Sequence, residues 1–119
     1  MIREHLFKGK TIKDNKWIYG DLIHSWHKMN TKPETMIYNT LGKTEVDPTT
    51  VCEYTGLRDK NGIKIFEGDI VNIIYSTTTV KNCIIEYIGA SFYGSTVADN
   101  WELDDYSAIE VIGNVFDNK

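Results

Sequence analysis

Three groups of side chains in this 119-residue sequence are of types that could do chemistry. His24 and His27, with Cys52 or Cys83, have the donor types of a zinc site. Residues three apart on a strand point to opposite faces, however, so only a helical turn would bring both imidazoles to one ion. Asp99, Glu102, Asp104 and Asp105 gather around Trp101. Calcium loops need carboxylates and carbonyls at loop spacing with a glycine for the sharp turn, and this run has neither, so a solvated acidic loop is expected. Glu67 and Asp69 bracket Gly68 and have the types of a general acid and base. No His, Cys or Ser nucleophile accompanies them, and carboxylates around a glycine serve turn formation. Gly9, Gly20 and Gly42 are isolated, so no phosphate-binding glycine loop is present. These readings predict no catalytic residue, no metal and no cofactor, and a protein that is not an enzyme.

The side chains left over are aromatic. Trp17, Tyr19, Trp26, Tyr38, Phe92, Tyr93 and Trp101 exceed what one small core readily absorbs, and large aromatics are enriched at interfaces. Most belong to the core, while Trp17, Tyr19, Trp26 and Trp101 are the candidates for a partner surface. With 13 Lys and Arg against 17 Asp and Glu, the net charge of −4 repels phosphate backbones, and the lysines are scattered. Cys52 and Cys83 lie far apart without metal spacing, and residues 1–10 lack the apolar core of a secretion signal. A cytosolic chain with two reduced, buried thiols is expected. No apolar run approaches the ~20 residues of a membrane span.

The elements that must position these residues read as short strands. Residues 4–11 form a strand around Leu6 and Phe7, and Asp14-Asn15-Lys16 turns the chain. Residues 17–24 form a second strand, with Ile18, Leu22 and His24 on one face and Trp17, Tyr19 and Ile23 on the other. Residues 25–34 read as a loop interrupted by Pro33. Met36-Ile37-Tyr38 is a short strand, and Leu41-Gly42-Lys43 turns again. Asp47 caps a helical turn with Pro48 at its first position, Val51 to Thr55 favour extended structure, and Gly56 breaks the run. Asn61-Gly62, preceded by Asp59, is a strong hairpin signal, and Glu67-Gly68-Asp69 is a second turn. It feeds a strand with Val71, Ile73 and Tyr75 on one face. A turn at 76–79 leads to a strand over 80–88, a bend or bulge at 89–95, a short edge strand at 101–103 and a closing strand at 108–116. Five or six short strands with no sustained helical period predict a mainly β fold, a small barrel or sandwich.

The segment EVDPTTVCEYTGLRDKNGIKIFEGDIV, residues 45–71, resembles the central motif of the YopX-like proteins of phages and prophages. The ending IEVIGNVFDN, residues 109–118, is similar to the closing pattern of that family. Phe7-Lys8-Gly9-Lys10 and Asn15-Lys16-Trp17-Ile18-Tyr19-Gly20 resemble its first strand pair. The resemblance is weak over 25–40 and 76–105. It implies a mostly β protein whose C-terminal half, from about Phe66, is an SH3-like barrel. It also implies a homo-oligomer, and it brings no assigned activity and no functional residues. The chain is therefore expected to be one domain, 1–119, divisible into an N-terminal β region, 1–53, and an SH3-like β-barrel region, 54–119. The expected function is that of a phage-encoded accessory protein in the cytoplasm of a bacterial host. It would bind itself or a host or phage protein, with no membrane role. The alternative is a nucleic-acid-binding module using the barrel, an analogy of fold that the acidic balance opposes.

Overall fold

β-Branched and aromatic residues alternating with polar ones dictate extended structure along this chain. The computed structural model describes residues 5–25, 34–74, 78–88, 91–96, 100–102 and 108–117, with Ser25 and residues 100–102 described by their backbone alone. Among these residues there are eleven strands and one 3-10 turn, in two compact units, 1–53 and 54–119. The fold is mainly β, as the sequence predicts, with two antiparallel sheets. The strands outnumber the five or six expected, because several are short and poor in apolar residues.

In the first unit, β1 (Phe7–Lys10) and β2 (Trp17–Ser25) pair antiparallel. They are joined by a turn in which Thr11 Oγ1 accepts the N–H groups of Asp14 and Lys16. Asn15 holds a φ of +55° there, a conformation Asn tolerates. β2 changes partner at its middle: Trp17 to Gly20 pair with β1, and Asp21 to Ser25 pair with β3 (Glu34–Asn39). Gly20 sits at the change, where a Cβ would collide with the Tyr38 carbonyl and lie 3.0 Å from Ile37 Cγ2. A two-residue loop, Thr40-Leu41, connects β3 to β4 (Gly42–Glu45), a strand where the sequence predicts only the turn Leu41-Gly42-Lys43.

Beyond β4 the chain returns to β1. Val46 N–H donates to Thr35 O, Asp47 N–H to Lys10 O and Ile12 N–H to Glu45 O, so the four strands close into a ring. Ile37 and Val46 are fully buried, and Gly9 leaves room for Val46, whose Cβ would stand 3.1 Å from a Cβ at that position. The 3-10 turn Pro48–Thr50 follows, with Asp47 Oδ1 accepting from Thr49 N–H as expected. Thr50 Oγ1 then accepts Lys10 N–H, tying the turn to β1.

β5 (Cys52–Arg58) pairs through Cys52 and Glu53 with β1, and through Tyr54 and Arg58 with β6 (Lys64–Phe66) in the second unit. Gly56 does not end the strand. At a φ of +89° it forms a bulge between the Tyr54 and Arg58 pairings, and Thr55 Oγ1 fills the break by donating to Ile65 O and accepting from Leu57 N–H. β7 (Asp69–Ile74), β8 (Thr79–Ile88), β9 (Ser91–Ser95), β10 (Asn100–Glu102) and β11 (Ala108–Asn114) form an antiparallel sheet in the order β10-β9-β8-β7-β11. This is a meander flanked on its first strand by the last. Ile65, Val71, Ile73, Cys83, Ile85, Phe92 and Ile109 make its core.

Of the expected bend at 89–95, residues 89 and 90 lie outside the described residues, and residues 91–95 are instead β9, paired in register with β8 from Ile88↔Ser91 to Ile84↔Ser95. Its small residues are a packing requirement: a Cβ on Gly94 would come within 2.6 Å of Ile73 Cδ1. Of the loop expected over 25–34, Ser25 and Glu34 belong instead to β2 and β3 and residues 26–33 lie outside the described residues; of the turn expected at 76–79, residues 76 and 77 lie outside them and Thr79 already belongs to β8.

Candidate partner surface

The register of the first unit decides which aromatics share a face. Lys8 lies opposite Tyr19 and Lys10 opposite Trp17, so all four point to one side of the β1–β2 pair. Asp21 lies opposite Tyr38, and Tyr38 opposite Lys43, which places Tyr38 on the same side, flanked by charges of opposite sign. Tyr19 is 47% exposed and Tyr38 49%. Asn39 holds this edge, its Nδ2 donating to Tyr19 O and its Oδ1 accepting from Leu41 N–H. Leu41, at the loop tip, is 94% exposed.

Trp17 is half-buried: Lys8 Nζ stands 4.4 Å and Lys10 Nζ 5.5 Å from its ring centroid. Both lysines are themselves buried, at 7% and 4% exposure, with their stems packed and their charge over the indole. Of the four residues expected to form a partner surface, Trp17 and Tyr19 therefore meet on one face. Trp26 lies outside the described residues, and Trp101 belongs to β10 in the other unit, paired with Gly94. Tyr38 is the member that spacing alone did not assign to this face, since its side depends on the β2–β3 register.

Asp69, one of the carboxylates that suggested chemistry, and Asp59 of the hairpin signal both have structural partners. Asp69 is 1% exposed; its Oδ2 accepts from Phe66 N–H and its Oδ1 from Asn114 Nδ2, each at 2.8 Å. Asp59, 7% exposed, accepts Asn61 and Ile63 N–H on Oδ1 and Val111 N–H on Oδ2. Burial pushes the Asp59 carboxyl up, but the Val111, Ile63 and Asn61 N–H groups, with Lys60 nearby, outweigh it and hold it below the ordinary range. The two motifs that carry the family resemblance thus meet: residues 59–69 grip β11 and the turn after it, with Val115 N–H donating to Gly68 O.

Cys52 and Cys83 form no disulfide and are buried, and burial raises the Cys83 thiol. Among the described residues no group of three His, Cys, Asp or Glu could hold a metal ion, and no helix is long and apolar enough to cross a membrane. His24 is exposed on β2; His27, Asp99, Asp104 and Asp105 lie outside the described residues. A shallow groove of about 430 Å³ on β8 and β9 is lined by Lys81, Asn82, Ile84, Glu86, Ser95 and Thr96.

No curated protein matches the chain. The family model described as YopX protein matches residues 6–119, which takes in both units and every strand described above. By this match over nearly its whole length, the chain belongs to the YopX protein family.

Proposed function

We propose that this protein is a phage- or prophage-encoded accessory protein that works by binding, to itself or to a host or phage protein in the bacterial cytoplasm, and not by catalysis. The observation that carries this reading is the face of β2 and β3 on which Tyr19 and Tyr38 are each about half exposed, between Asp21 and Lys43. Rigid aromatics with few rotamers to freeze provide contact area at low entropic cost, and flanking charges of opposite sign set orientation. Of the lysines on this face, Lys8 and Lys10 are packed over Trp17, so that they do not join Lys43 in a basic stripe for a phosphate backbone.

The test is capture of the tagged protein from host lysate, with and without nuclease, read by mass spectrometry alongside a Tyr19→Ser/Tyr38→Ser variant. A stoichiometric protein, or further copies of the chain, retained after nuclease and lost in the variant is the expected result. Recovery of nucleic acid, or of proteins that vanish with nuclease, would overturn the reading in favour of a nucleic-acid-binding module.

A further inference from the structure

Asn61 is the only asparagine in the sequence followed by glycine. Such a pair is chemically labile, because a glycine nitrogen carries no neighbouring Cβ to hinder attack on the asparagine side chain. Both residues are exposed in the β5–β6 loop, and around Gly62, at a φ of +82°, a built Cβ would meet nothing within 4 Å. The nitrogen that would attack is held, however. Gly62 N–H donates to Asp59 O at 3.0 Å, and the N–H groups on either side, of Asn61 and Ile63, both donate to Asp59 Oδ1, at 2.8 and 2.9 Å. Asp59 N–H donates to Ile63 O, and Arg58 Nη1 to Gly62 O, closing the loop from both ends.

We propose that Asn61 is a modification site, converted through a succinimide to aspartate or isoaspartate, and that the Asp59 carboxylate gates the reaction. The Gly62 nitrogen, freed from Asp59 O and deprotonated, attacks Asn61 Cγ. A C–N bond forms, the side-chain amide takes up a proton and leaves as ammonia, and a five-membered imide results. Water then opens either carbonyl, giving aspartate or, when the backbone carbonyl is attacked, isoaspartate. In total, one water is consumed and one ammonia released.

Ring closure needs the Asn61–Gly62 peptide to rotate, which breaks the bonds that Asp59 Oδ1 makes on both sides of it. The product puts a second carboxylate beside Asp59 and, as isoaspartate, an extra methylene in the backbone. Either change weakens the clamp whose other oxygen holds Val111 N–H on β11 and whose neighbour, Lys60 N–H, donates to Ile109 O. The reaction therefore loosens the junction of the β5–β6 loop with the last strand.

The full chain is aged in mildly alkaline buffer, native and in urea, and the peptide containing Asn61 is followed by mass spectrometry and by enzymatic methylation of isoaspartate. Conversion is expected to be several-fold slower in the native chain than in urea. Asp59→Asn, checked for folding by circular dichroism, should be several-fold faster than wild type under native conditions, and Asn61→Gln should abolish the signal. Equal rates in native and denatured wild type would overturn the gate without need of a variant. A folded Asp59→Asn protein ageing at the wild-type rate would do the same, and no conversion even in urea would overturn the site itself.

Discussion

Asp59 and Asp69 stand ten positions apart and do the same kind of work: each carboxylate satisfies groups that a turn leaves without a strand partner. Asp59→Ala leaves three N–H groups without their charged acceptor and should cost about 3 kcal/mol, read as a drop in the denaturant midpoint. Because the folded Asp59 carboxyl sits below its ordinary value of 3.8, its contribution is complete above that pH and is lost as pH falls through the lower folded value. Acid titration of Asp59→Asn should accordingly show a shallower stability loss below that point than wild type. Asp69→Ala removes the carboxylate that accepts from Phe66 N–H and the Asn114 amide at a residue 1% exposed, with a similar expected cost of about 3 kcal/mol. The two cysteines belong to this scale as well. Both are buried and the Cys83 thiol is pushed up by burial, so a thiol reagent should label the native protein only as fast as it opens. Immediate labelling of Cys83 in native buffer would contradict that placement.

Strand pairing at the scale of elements depends on where side chains are missing. Gly20 lets β2 leave β1 and join β3, because the Tyr38 carbonyl occupies the space a Cβ would need. Gly94 lets β9 lie over Ile73, but there the obstructing atom is the flexible end of a side chain. The two substitutions should therefore differ. Gly20→Ala is expected to cost about 3 kcal/mol, since backbone must move, and Gly94→Ala about 1 kcal/mol, since Ile73 can change rotamer. Urea midpoints of the two variants check the order, and equal midpoints would argue against the backbone origin of the first. The bulge at Gly56 works in the same way, offsetting the β5–β6 register so that Thr55 and Leu57 can serve one hairpin.

For the whole molecule, the proposed binding would operate against a net charge of −4, with Lys8 and Lys10 buried at Trp17. Association through Tyr19 and Tyr38 should change little between low and high salt, whereas phosphate contacts would weaken steeply. The Tyr19→Ser/Tyr38→Ser protein should keep its melting temperature within a degree or so, because both side chains are about half exposed, while losing its partner. A large fall in melting temperature would mean that these tyrosines hold the fold and not a partner.

Local chemistry determined much of this protein from the sequence alone. The period-two pattern around Val71 and Ile73, the Asp47-Pro48 turn, the Gly68 turn and the mainly β class all follow from residue types and short spacings. The shared strand face of Trp17 and Tyr19 was legible because their strand alternates clearly, and the family resemblance because its motif is contiguous. Only the tertiary structure decided that Tyr38 joins Tyr19, that Gly56 bulges a strand and that residues 91–95 form one. It also decided that the motif carboxylates reach across dozens of residues to β11 and its turn. Those outcomes depend on register and on which distant backbone groups need a partner. A sequence lists donors and acceptors, and only folding brings them within 3 Å of one another.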